Sequence, residues 1–163
     1  MCNSYKILFV CLGNICRSPA AEGIMLHIVN NEGVEHLYEV DSAGLGEWHV
    51  GELPDPRMRR HGERHGYDFC SRARQFVPED FDNFDYIVAM DQTNYDDIKS
   101  KARSPYDYRK IVTMASYLRH HPTFKSIPDP YYGGENGFEL VISLLEDACQ
   151  GLFDELQKRK RHY

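Results

Sequence analysis

Cys11-Leu-Gly-Asn-Ile-Cys-Arg-Ser18 sets a thiol, a guanidinium and a hydroxyl in the order C-x5-R-S. That order suits the capture of a phosphate dianion. A loop that enters a helix N-terminus offers several backbone N–H groups and the positive end of the helix dipole. Gly13 permits close backbone approach or positive φ, and Asn14 tolerates left-handed geometry better than most residues. Arg17 stands where loop meets helix, and its planar guanidinium can grip two phosphate oxygens at once, as Lys cannot. The same field favours the thiolate at Cys11, ready for in-line attack on phosphorus and a cysteinyl-phosphate intermediate. Ser18 can donate a hydrogen bond to that sulfur. By itself C-x5-R-S is a weak pattern, and Cys11 and Cys16 could be small buried hydrophobes. The context lifts it, because the motif follows an apolar run and leads into a Pro-started helix. For Cys16 two readings stay open, a buried filler and a neighbouring thiol that captures oxidised Cys11.

A phenolate such as tyrosinate leaves poorly unless protonated, so such a thiol needs a general acid. Asp129 is the candidate, with Pro128 and Pro130 restricting its backbone and Tyr131-Tyr132-Gly-Gly134 following. Asp-Pro and Gly-Gly are also ordinary turn chemistry, and only the first loop tips the balance toward an acid. Tyr131, Tyr132 and the single tryptophan, Trp48, could wall a slot in which an aryl phosphate stacks while a phosphoserine falls short of the bottom.

Elements that alternate must position these groups. Residues 6–10 (KILFV), 38–42 (YEVDS), 86–90 (YIVAM) and 110–114 (KIVTM) read as buried strands. A helix is expected from Pro19 with Ser18 as its cap, and it carries Ala21, Met25, Ile28 and Val29 on one face. Further helices are expected over 55–65, ended by Gly66, over 93–101, and over 138–158, where Leu140, Val141, Leu144, Leu145, Ala148, Leu152 and Leu156 recur at helical spacing. Residues 116–136 have little periodicity and read as a long functional loop. Strands alternating with helices predict an α/β three-layer sandwich, a mostly parallel sheet with helices on both faces. Ligands of such sheets gather at the strands' carboxyl ends, here the loops after Val10, Val40, Met90 and Met114.

The 163 residues suit one domain, 1–163, with 42% hydrophobic and 27% charged residues. A formal net charge of −6 argues against nucleic acid as a partner. Five cysteines at spacings that fit no disulfide framework, with neither a leader nor an apolar run long enough to span a membrane, point to the cytoplasm. The basic residues 158–162 read as a solvated helix end.

Val10-Cys-Leu-Gly-Asn-Ile-Cys-Arg-Ser-Pro19, Asp41-Ser-Ala-Gly44, Ala73-Arg-Gln75, Val88-Ala-Met-Asp91 and Asp129-Pro-Tyr-Tyr132 together resemble the low-molecular-weight protein tyrosine phosphatases, in order and spacing along essentially the whole chain. The resemblance implies a four-stranded parallel sheet of flavodoxin-like, phosphotyrosine phosphatase I-like type, no metal or organic cofactor, and phosphotyrosine proteins and inorganic phosphate or similar oxyanions as partners. It implies Cys11 as nucleophile, Arg17 as phosphate clamp, Ser18 as helper of the thiolate and Asp129 as acid and base. Leu12, Gly13, Ile15 and Cys16 complete the phosphate loop, Asn14 and Ser42 hold its strained shape, and Trp48, Tyr131 and Tyr132 wall the slot. Asp91 falls on an acidic position that supports the arginine. Relatives carry a His near Ser71, and its replacement puts that loop network in question.

Four rival readings have distinct signatures. An arsenate reductase of the same fold needs two relay cysteines on one segment, where Cys70 stands alone. A protein-arginine phosphatase favours Thr where this chain has Ile15, and an apolar Ile suits a flat ring better than a guanidinium group. A noncatalytic phosphate-sensing module would not need Cys11, Arg17 and Asp129 together. A zinc hydrolase could use His61 and His65, but Glu63 is misplaced for H-E-x-x-H.

Overall fold

The computed structural model describes residues 4–131 and 133–160. Four strands, β1 (Tyr5–Cys11), β2 (Tyr38–Gly44), β3 (Tyr86–Ala89) and β4 (Ile111–Thr113), form one sheet in the order β2-β1-β3-β4. Every pairing is parallel, with Cys11 opposite Gly44 and Val10 opposite Ala89. Side chains alternate across a strand, so β1 divides its residues between two cores. Ile7 and Phe9 enter one cluster with α1 (Arg17–Asn31) and α6 (Glu135–Lys160). Leu8 and Val10 enter the other, where Phe76, Phe81 and, from α4 (Gln92–Ser100), Ile98 cover the opposite face. The expected three-layer α/β arrangement is therefore the one observed.

Several elements differ from the sequence reading. Helix α1 begins at Arg17 rather than Pro19, with Cys16 at its cap and no side-chain cap bond. Ser18 is drawn inside the helix because its hydroxyl is used at the loop instead. Leu140 is exposed although it shares the α6 spacing, and α6 starts at Glu135, three residues before the expected 138. Helices α3 (Asp80–Asn83) and α5 (Pro105–Arg109) were not expected, since neither is long enough to show a repeat. Of the basic residues 158–162, 161 and 162 lie outside the described residues, and two of the others are not simply solvated: Arg159 donates to the Tyr86 hydroxyl at 2.6 Å, and the Lys160 ammonium lies over the rings of Tyr5 and Tyr38. No helix among the described residues is long and apolar enough to cross a membrane.

The segment after β4 is pinned before it reaches the site. Asp147 of α6, almost fully buried, accepts from the amides of Arg119 at 3.1 Å and His120 at 2.8 Å and pairs with the His121 ring at 2.9 Å. Burial pushes its carboxyl up, but the His121 ring and these amides outweigh burial and leave it below the ordinary range. A depressed carboxyl stabilises the fold above the pH at which the unfolded group titrates, and that contribution is lost as pH falls through the native value. Asp147→Ala is expected to cost about 3 kcal/mol, since two backbone amides and the His121 ring lose a buried charged acceptor. Urea unfolding measured down to acid pH checks this: the gap between wild type and variant should close below about pH 4.

Candidate active site

A cavity of about 420 Å³ opens at the carboxyl ends of β1 and β2, with Cys11 through Gly13, Ile15 through Arg17, Trp48, His49, Asp129 and Tyr131 on its walls. Its floor is the loop after β1. Three carbonyls of that loop are tied outward: Cys11 O accepts from Leu45 N at 3.0 Å, Leu12 O from Gly46 N at 2.9 Å and Ile15 O from Asp55 N at 2.7 Å. In a trans peptide the N–H points opposite the C=O. The amides of Leu12, Gly13 and Cys16 are therefore turned the other way, toward the cavity, as an oxyanion requires.

Asn14 keys this shape. It is the only described non-glycine residue with positive φ, at 57°. Its Nδ2 donates to Ser18 Oγ at 2.7 Å and to Ser42 Oγ at 3.0 Å, while its Oδ1 accepts from Arg74 N at 3.0 Å. Ser42 in turn donates to Glu22 Oε1 at 2.6 Å. Burial raises the Glu22 carboxyl above its ordinary range, against the hydrogen bonds from Ser42 and Ser71. Ser71 is thus part of the network through Glu22, not through Asn14. Because Ser18 Oγ already accepts from Asn14, its proton is available to Cys11 Sγ, 3.0 Å away and nearer than Ala43 O at 3.5 Å. A buried chain runs from Glu22 through Ser42, Asn14 and Ser18 to the sulfur. Gly44 makes the contact possible: a Cβ there would stand 3.0 Å from both Asn14 Cβ and the Gly13 carbonyl carbon. Gly13 itself needs no positive φ; its Cβ would crowd His49 Cδ2 at 3.2 Å.

Arg17 is 2% exposed, and one half of its fork is spoken for. Nη1 donates to Asp91 Oδ2 at 2.6 Å and to Ile127 O at 2.9 Å. Burial works against the guanidinium charge, but Cys11, Asp91 and Asp129 outweigh it and raise the group further. Asp91 is fixed in its turn as the cap of α4, accepting from Asn94 N at 2.7 Å. The other edge of Arg17, with Nη2, faces Asp129, whose Oδ2 is 3.6 Å away. Asp129 Oδ1 accepts from Tyr131 N at 3.0 Å. The acid segment is held on both sides, by Ile127 N donating to Met90 O at 2.8 Å and by Arg57 Nη2 donating to Tyr131 O at 3.0 Å.

Of the residues named from sequence, the structure brings together Cys11, Leu12, Gly13, Ile15, Cys16, Arg17, Trp48, Asp129 and Tyr131 around the cavity, with Asn14, Ser18, Ser42 and Asp91 behind them. Tyr132 lies outside the described residues. Trp48 lines the cavity yet is 67% exposed, a rim rather than an inner wall. Cys16 is buried as the cap of α1, and burial, with Asp55 nearby, pushes its thiol well up. Cys70 is exposed and Cys149 buried in α6. His61 and His65 do not converge on a metal position; each meets Glu139 at 2.6 Å, tying α2 (Pro56–Arg64) to α6. Sequence reading missed His49, Glu22, Arg57 and the Arg74 amide. His49 stands beside Trp48 in the sequence, its ring nitrogen paired with Glu52 at 2.5 Å and its ring 6.3 Å from that of Tyr131.

Residues 6–162 match the family described as low molecular weight phosphotyrosine protein phosphatase. A relative from Synechocystis sp., provisionally named a low molecular weight protein-tyrosine-phosphatase, is 48% identical over 94% of this chain and 97% of its own. A solved protein tyrosine phosphatase from Entamoeba histolytica superposes with a TM-score of 0.92 at 46% identity, covering 96% of this chain and 99% of that one. A solved Drosophila arginine phosphatase reaches 0.85 at 35% identity over 93% of this chain and 97% of its own. With an ordered thiol, guanidinium and carboxylate around one cavity, and a match that runs nearly end to end, the chain belongs to the low molecular weight phosphotyrosine protein phosphatase family.

Proposed function

We propose that the protein hydrolyses phosphotyrosine in proteins by two in-line displacements at Cys11. The Cys11 sulfur attacks phosphorus, the bond from phosphorus to the tyrosine oxygen breaks, and Asp129 protonates the leaving oxygen. Water then attacks the cysteinyl phosphate, Asp129 takes its proton, and the sulfur leaves as thiolate with inorganic phosphate as product. Arg17 holds two phosphoryl oxygens with its free edge, the amides of residues 12–17 hold the others, and Ser18 stabilises the departing sulfur. Asn14 and Ser42 keep the loop in shape, Asp91 aims Arg17, and Trp48 and Tyr131 flank the ring. The nucleophile must stay reduced, which fits a cytoplasmic setting.

The observation that carries this reading is Cys11 Sγ at the cavity floor, 3.0 Å from a serine hydroxyl whose own acceptor role is filled by Asn14, with Arg17 and Asp129 on the same cavity. The likeness to an arginine phosphatase names the competitor. Ile15 on the cavity wall supports the aryl substrate, since an apolar side chain desolvates a phosphoguanidinium without offering it a partner. One comparison decides: kcat/KM on matched peptides carrying phosphotyrosine, phosphoserine or phosphoarginine. Phosphotyrosine is expected to lead by about 10²-fold or more, as an unmet polar group costs at that scale. Phosphoarginine turning over faster would replace the reading.

A further inference from the structure

The protein has a formal net charge of −6, but the helix beside the cavity runs against it. Helix α2 carries Arg57, Arg59, Arg60 and Arg64 against the one acid Glu63. Its buried face is Met58, His61 and Gly62. At about 100° per residue, Arg57, Arg60 and Arg64 fall within roughly 60° of each other along one edge, with Arg59 and Glu63 on the opposite shoulder. The stripe begins at the site. Asp55, the cap of α2, donates its amide to Ile15 O, and Arg57 reaches Tyr131 O. Arg57 is further occupied by Asp55 and lies over the Phe138 ring. Arg60 and Arg64 are exposed, and among the described residues no carboxylate pairs with either. Glu139, which faces α2 from α6, is taken up by His61 and His65.

We propose that this arginine edge docks an acidic segment of the phosphoprotein substrate. The inference rests on the phosphatase reading. With the phosphate on Arg17, the edge extends about 10 Å along α2, seven residues at 1.5 Å each. An extended peptide covers that length in about three residues, so a short run of carboxylates on one side of the phosphotyrosine meets Arg60 and Arg64. A membrane surface fits less well. An interfacial helix presents an apolar face outward, and the apolar face of α2 is turned into the core.

The test compares wild type with R60E/R64E on three substrates: a phosphotyrosine peptide with flanking Asp and Glu, the same peptide with Asn and Gln, and p-nitrophenyl phosphate. The variant should lose about tenfold in kcat/KM on the acidic peptide, through KM, and the loss should shrink as salt rises, as expected of exposed charges. The neutral peptide and p-nitrophenyl phosphate should be unaffected, and R60Q/R64Q should fall between. Equal loss on both peptides overturns the docking edge. So does sedimentation with anionic phospholipid vesicles that the charge reversal abolishes while peptide kinetics stay unchanged. If wild type turns over p-nitrophenyl phosphate normally but ignores peptide charge, this inference alone fails; if it turns over none of the three, the phosphatase reading fails with it.

Discussion

Cys11→Ser is expected to abolish turnover of every phosphate ester, by about 10⁴-fold or more, while the protein still folds and binds phosphate. The substitution changes one atom in a site already shaped around it. The loop carbonyls remain tied to Leu45, Gly46 and Asp55, and Asn14 keeps its bonds to Ser42 and Arg74. What goes is the sulfur nucleophile. The serine hydroxyl stays protonated in a site that has a hydrogen-bond donor at Ser18 but no base beside it. Steady-state kinetics with p-nitrophenyl phosphate gives the loss, and thermal shift with added phosphate shows whether the cradle survives. A variant with wild-type kcat would remove the covalent intermediate.

The second large effect belongs to Asp129. Asp129→Ala should slow phosphotyrosine hydrolysis by about 10²- to 10³-fold, the usual scale of general acid catalysis. Aryl phosphates with acidic leaving groups should slow much less in the first step, because their oxygen departs without a proton. The structure makes the variant a clean test. Asp129 is held from both ends, by Arg17 on Ile127 O and Arg57 on Tyr131 O, so its removal leaves the segment anchored. It also deletes one of the two carboxylates beside Arg17, while Asp91 remains at 2.6 Å. Plotting log kcat/KM against leaving-group acidity should give a steeper line for the variant. Parallel lines would mean that Asp129 only shapes the electrostatics of Arg17.

Residues close in sequence were legible from sequence alone, and so were elements long enough to repeat. The phosphate loop lies within eight consecutive residues, and its glycine, asparagine, arginine and helix start each have a local physical reason. The four strands show themselves as short apolar runs and α6 as a repeat at helical spacing, whereas α3 and α5 are too short to show a repeat. Even so, local rules misplaced the start of α1. They assign Ser18 to a cap, but the demand for a donor beside the sulfur outweighs the cap.

Tertiary structure alone decided how the loop is braced. Asn14 depends on an amide 60 residues away, and Arg17 on Asp91 and Ile127 O, 74 and 110 residues away. No period or spacing announces such bonds, because each exists only where the carboxyl ends of parallel strands meet. Residue types set which chemistry was available: a thiol, a fork-shaped cation and a carboxylate. The sheet order β2-β1-β3-β4 set which of them could touch, bringing β2 and β3 to either side of β1 so that Ser42 and Asp91 flank a loop neither adjoins in sequence.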